Sequence, residues 1–188
     1  FPTMSIADNV HLQRRLLVEV FGIDSVALAV GHSMGAVNAY HWASLYPDAV
    51  ERLGAICGSA KISIHNYVFL EGMREILTAD PVFNGGRYTD QPIAGLRAMS
   101  RAWAAWPPSA NFYRGEYFKT MGFESLEAFL SGYWEATYTA MDANNVLCQI
   151  TTWESADIGA GGDLKTALGK IKAEATIMPC VKIGRAHV

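Results

Sequence analysis

The five residues Gly31-His32-Ser33-Met34-Gly35, set between an apolar run and a helical stretch, constrain this chain more than any other feature. Ahead of them, Ser25-Val26-Ala27-Leu28-Ala29-Val30 is short and uncharged with two valines, the pattern of a strand buried on both faces of a parallel sheet. Behind them a helix is predicted over residues 36–45, ended at Tyr46-Pro47 because the residue before a proline leaves the helical region. Upstream, Ser5-Ile6-Ala7-Asp8 reads as a capping box with Asp in the place of Glu or Gln. Val10, Leu12, Leu16, Leu17, Val20 and Phe21 then recur near the helical period, and Gly22 suits a C-terminal stop. Within residues 50–58, the run Leu53-Gly54-Ala55-Ile56-Cys57 predicts the next strand. Helix, strand, turn, helix and strand in this order are the alternation of an α/β fold, with a mostly parallel sheet and flanking helices.

The turn also carries chemistry. Gly-x-Ser-x-Gly alone is a common chance match. Between a strand and a helix it is a tight elbow that lifts the Ser33 hydroxyl above the sheet edge. The glycines two positions either side are expected where strand and helix backbones pass close. The Met34 N–H, at the start of the helix, is aimed to donate to a developing oxyanion, and the helix dipole favours negative charge there.

A serine hydroxyl is a poor nucleophile until a base takes its proton, so a histidine and an orienting acid are required. With this elbow the chain order is Ser, then Asp or Glu, then His, the acid following a later strand. The strand-like run over residues 173–180 is the candidate for that strand, and no Asp or Glu lies between Cys180 and Val188. Asp142, Asp157 and Asp163 all precede it, so none takes the acid role comfortably. His11 and His41 fall in helical stretches and read as surface or packing residues. His32 sits inside the elbow and cannot easily reach back to Ser33. His65, just past the strand after the elbow, is a candidate for lining the substrate pocket. His187, with no loop acid before it, is not expected to be catalytic.

From about residue 60 the chain changes character, becoming rich in Trp, Tyr, Phe and Met with helical periodicity. Leu126, Phe129, Leu130, Tyr133 and Trp134 form the stripe of an amphipathic helix. The expected organisation is a partial α/β core over residues 1–59, a helical lid insertion over 60–169 and a return to a core strand over 170–181. Ile183-Gly184-Arg185-Ala186-His187-Val188 matches what one frame of a common sequencing adapter encodes, so residues 182–188 are expected to be an artefact.

These residues together resemble the homoserine O-acetyltransferase family, a branch of the α/β-hydrolase superfamily. The marks are Gly31 to Gly35, Tyr46-Pro47-Asp48, Ala60-Lys61, Asp142-Ala143-Asn144, Gly162-Asp163-Leu164 and Met178-Pro179. The resemblance implies an α/β-hydrolase fold with a helical lid, and transfer of an acyl group from acyl-CoA, through Ser33, to the homoserine hydroxyl. It implies acyl-CoA as co-substrate with no bound cofactor, and a homodimer formed through the insertion. It also places the acid a few residues past Met178-Pro179, the histidine further on and an upstream oxyanion donor before Phe1. The sequence is therefore expected to be a fragment, nearly inert alone. Two family glycines of the elbow are His32 and Ala36 here. The family's carboxylate-binding arginine falls near Gly95-Leu96, where this chain offers Arg97 and Arg101; Arg101 is the substrate-binding candidate. The main rival is an esterase or other hydrolase using the same acyl-serine chemistry. A further one is a non-catalytic binding or dimerisation protein on the same fold.

Composition narrows the partners. Apolar residues are 51% of the 188 and charged residues 18%, as in a globular chain. The net charge is −3 with no basic stripe, which removes the electrostatic support for nucleic-acid binding. No apolar stretch approaches the roughly 20 residues of a membrane span, and no secretory leader opens the sequence. Cys57, Cys148 and Cys180 are widely spaced and odd in number, which fits a reduced, cytoplasmic protein without a metal site. The expected partner is a small-molecule substrate.

Overall fold

The computed structural model describes residues 3–160 and 162–180, so the reading of residues 182–188 lies outside it. In chain order the elements are α1 (Ile6–Arg15), β1 (Ala29–His32), α2 (Met34–Leu45), β2 (Arg52–Ile56), α3 (Ile64–Thr78) and α4 (Ile93–Trp103). There follow α5 (Ala110–Arg114), α6 (Leu126–Phe129), α7 (Ala136–Thr139), α8 (Ala143–Glu154), α9 (Leu164–Gly169) and β3 (Glu174–Met178). The chain divides into two compact units, one of residues up to Ser63 with Thr151–Cys180, the other Ile64–Ile150. These divisions fall at 63/64 and 150/151, where the sequence suggested an insertion over 60–169.

The first unit is the α/β core. Ser5 caps α1 as expected: its hydroxyl accepts the Asp8 N–H at 3.1 Å and the Asp8 carboxylate accepts the Ser5 N–H at 2.9 Å. After a π-helical turn over Leu16–Val20, Gly22 stops the helix in left-handed backbone at φ 65°. The three strands are parallel in the order β1-β2-β3, with Ala29 opposite Leu53 and Arg52 opposite Glu174. Ala36, Ala39 and Ala43 of α2 lie against Leu53 and Ala55, so small side chains let the helix sit close on the sheet.

The strand expected at residues 25–30 sits later, at Ala29–His32, while Val26 makes only an isolated bridge to Val50. Nor is it buried on both faces, since Val30 and His32 are exposed. The reason is position: among the described residues only β2 is paired on both sides, and there Leu53, Gly54 and Ala55 are buried.

The second unit is helical. Asp80 ties α3 to α4, accepting the Val82 N–H at 2.9 Å and the Gly95 N–H at 2.8 Å. Asp142 gathers a second node, with Tyr88 Oη at 2.7 Å, Gln91 Nε2 at 3.1 Å and the Asn145 N–H at 3.0 Å. Its core joins Ala104, Phe118, Phe129 and Trp134.

The expected stripe through this region is broken. Phe129 and Trp134 are buried, but Leu126 and Tyr133 are exposed. A π-helical turn over Leu130–Glu135 separates α6 from α7 and changes the angle per residue, so the face that enters with Phe129 continues through Trp134 and Glu135. Phe129 packs against Phe112, Phe118, Phe123 and Tyr133. Phe129→Ala should cost about 3–5 kcal/mol of unfolding free energy. A urea titration followed by tryptophan fluorescence checks this, with exposed Leu126→Ala as a near-neutral comparison.

Candidate active site

The site begins with backbone. Ser33 has φ 56° and ψ −120°, a region sparsely populated by non-glycine residues and costing about 1–3 kcal/mol. Neighbouring bonds hold it there. Its N–H donates to the Ile56 carbonyl at 2.8 Å, tying the elbow to β2. Its carbonyl accepts the Ala36 N–H at 3.0 Å and the Val37 N–H at 3.4 Å, starting α2. Ser33 stands at the N-terminus of α2, and its hydroxyl is not spent capping that helix. Met34 is the first residue of α2 and so has no intrahelical acceptor for its N–H. Hydroxyl, free helix N-terminus and sheet edge therefore meet at one place, the arrangement an acyl-transfer nucleophile needs.

The two motif glycines differ. A methyl group on Gly31 would lie 2.0 Å from the Gly35 carbonyl oxygen and 2.6 Å from the Ala36 nitrogen. Strand and helix backbones do pass close there. A methyl group on Gly35 meets nothing within 4 Å, because that Cα faces a cleft of about 530 Å³ that Leu16, Val30, Asn38 and Trp42 help to line. The close-approach argument accounts for Gly31 and not for Gly35.

Other residues singled out in the sequence have partners of their own. His32 is exposed on β1. His11 Nδ1 lies 2.7 Å from Tyr46 Oη. His41 is buried, with Nδ1 2.9 Å from the Val37 carbonyl oxygen, and burial pushes its pKa below the ordinary imidazole value. Both are surface or packing residues, as the sequence suggested. Asp157 pairs with Lys61 at 2.8 Å, and Asp163 caps α9 through the Thr166 N–H at 2.8 Å. With Asp142 at its own node, all three aspartates serve the fold.

His65 and Arg101 belong to the helical unit. The His65 ring stacks on Trp106 at 5.5 Å between centroids, and Trp106 stacks on Phe69 at 3.9 Å. Arg101 is held by Glu127 and Glu135, and Arg97 reaches Glu135 at 2.7 Å. An incoming carboxylate would have to displace two carboxylates already bound to Arg101. Glu135 is the buried member, and its hydrogen bond from Arg101, followed by that from Arg97, holds its pKa below the usual carboxylate range. A depressed carboxylate stabilises the fold above its unfolded pKa, near 4.5, and that share is lost as pH falls through the folded value. The urea midpoint should therefore fall as pH drops below about 4.5. In Glu135→Gln that fall should be shallower.

The model of the family described as alpha/beta hydrolase fold matches residues 1–152. The chain belongs to the α/β-hydrolase family. It is 42% identical over 183 residues to the ethyl acetate hydrolase of Pseudomonas veronii, covering 95% of this chain and 52% of that protein. The crystal structure of an acetylester hydrolase from Corynebacterium glutamicum matches with a TM-score of 0.92 at 39% identity, covering 95% of this chain and 52% of that one. The homoserine O-acetyltransferase of Trichormus variabilis is 30% identical over 185 residues, covering 95% of this chain and 51% of that protein. The chain spans about half the length of the curated relatives it matches. As an α/β-hydrolase it resembles the homoserine acyltransferases, but less than it resembles these esterases.

The sequence pointed to Ser33 and Met34 through a motif with its flanking elements. It gave no sign of Gly58. That residue followed an apolar strand and read as the end of a run, yet a methyl group there would lie 2.6 Å from the Ser33 carbonyl oxygen.

The contrast between the motif glycines is testable. Gly31→Ala should abolish soluble expression of this chain or lower its melting temperature by more than about 10 °C. Gly35→Ala should stay within about 3 °C of the parent. Differential scanning fluorimetry measures both.

Proposed function

We propose that the protein to which this chain belongs is an esterase that cleaves short acetyl esters through an acyl-Ser33 intermediate. The 42% identity to an ethyl acetate hydrolase, running through the elbow and along 95% of the chain, carries this reading. The occupied Arg101 supports it, because an acceptor amino acid would need a carboxylate anchor that two glutamates already hold. This favours the hydrolase alternative over the acyltransferase reading.

In the first step Ser33 Oγ bonds to the ester carbonyl carbon while a base takes its proton. The carbonyl oxygen becomes an oxyanion next to the Met34 N–H and the N-terminus of α2. The tetrahedral intermediate collapses, the C–O bond to the alcohol breaks, and the base returns the proton to the leaving alcohol. Water then attacks acyl-Ser33 by the same route, releasing acetate and restoring the hydroxyl. In this reading the base and its orienting acid come from a part of the longer protein outside this sequence, because the order nucleophile, acid, histidine puts both after a strand later than the elbow, for which β3 is the candidate.

The test uses the product of the uninterrupted gene that contains these residues. It should release acetate from ethyl acetate, and Ser33→Ala should lower kcat by at least about 10³-fold. Coenzyme A thiol released from acetyl-CoA only when homoserine is present would move the assignment to acyl transfer. Ester hydrolysis unchanged in Ser33→Ala would remove Ser33 from the reaction.

A further inference from the structure

We infer that Gly58 is a positioning residue for the Ser33 nucleophile, an inference that rests on the acyl-Ser33 reading. β2 runs to Ile56, whose carbonyl accepts the Ser33 N–H at 2.8 Å. The Cys57 N–H donates to the Met178 carbonyl at 2.8 Å, so the chain is still tied to β3 at that point. Cys57 then turns in left-handed backbone at φ 55°, and this turn brings Gly58 against the elbow. A methyl group at Gly58 would lie 2.6 Å from the Ser33 carbonyl oxygen and 2.5 Å from the Ala36 Cβ. Gly58 has no positive φ, so its conformation is open to any residue and only the close approach demands glycine there.

The contact matters because of what the Ser33 carbonyl does. It accepts the first N–H bonds of α2, from Ala36 and Val37, and so fixes where that helix begins. The same peptide unit carries the Met34 N–H that faces the developing oxyanion in the proposed reaction. A side chain at position 58 has backbone oxygen on one side and a short, rigid alanine on the other. The strain falls on the contact between this segment and the Ser33–Met34 peptide, and any yielding of that peptide re-aims hydroxyl and oxyanion donor together. Substrate contacts made elsewhere are untouched, so the effect belongs to the chemical step rather than to binding. A misplacement of about 1 Å at a reacting group can cost on the order of 10²-fold in rate.

The experiment compares Gly58→Ala with Gly72→Ala, whose added methyl meets nothing within 4 Å in α3, in the same full-length esterase. Gly58→Ala should lower kcat on ethyl acetate by about 10- to 100-fold with KM little changed, over and above a lowered melting temperature, and Gly72→Ala should leave kcat within about twofold. Restoring space with Gly58→Ala/Ala36→Gly should recover part of the loss, because the overlap with the Ala36 Cβ is then removed. If Gly58→Ala alone does not fold, this double variant is measured in its place, and the remaining overlap with the Ser33 oxygen should still lower kcat. A folded Gly58→Ala, or a folded double variant, with the parent kcat overturns the inference. So does a loss that appears wholly in KM. The two levels separate cleanly: hydrolysis that persists in Ser33→Ala defeats the nucleophile reading, while loss in Ser33→Ala beside full activity in Gly58→Ala defeats this inference alone.

Discussion

Backbone pressed against backbone at the N-terminus of α2 is the constraint on which the rest of this site depends. Gly31 lets the strand pass beneath the Gly35 carbonyl, and Gly58 lets the exit from β2 pass beside the Ser33 carbonyl. Between them Ser33 is held in strained backbone by one bond to β2 and two into α2. That strain is sustained because hydrogen bonds and close packing over-determine the position, as expected where a catalytic group must be fixed before substrate arrives. The alanines of α2 extend the same logic along the helix, keeping it near enough to the sheet for the elbow to close.

Much of this was legible in the residues. The capping box at Ser5, the stop at Gly22 and the elbow and helix around Ser33 each rest on local rules, and each is where those rules put it. The limits of β1 were not, because strand pairing depends on a partner distant in sequence and β1 is paired on one side only. The stripe from Leu126 failed because a single π-helical turn changes the angle per residue, which an apolar pattern does not announce. Gly58 was invisible for a related reason: its need for a bare Cα comes from an elbow more than twenty residues earlier in the chain. Arg101 was a substrate-binding candidate in the sequence, and the Glu127 and Glu135 that hold it are remote in the chain, so their claim on it was not visible there.

Why the motif led toward homoserine acyltransferases is also physical. Esterases and acyltransferases of this family share the first half-reaction, so they share the elbow, the helix N-terminus and the fold that presents them. What separates them is whether water or an alcohol meets the acyl-serine, and that lies in pocket residues the elbow does not specify. The proposed esterase reading therefore leans on the 42% identity over 95% of the chain to an ethyl acetate hydrolase rather than on the five elbow residues.

The central claim is that the acyl group rests on Ser33. It is tested most directly by mapping the covalent adduct that a fluorophosphonate leaves on the full-length protein, by mass spectrometry of its peptides. The account predicts one adduct, on the peptide carrying Gly31-His32-Ser33-Met34-Gly35, absent from Ser33→Ala. An adduct on another residue that forms equally in Ser33→Ala would contradict it.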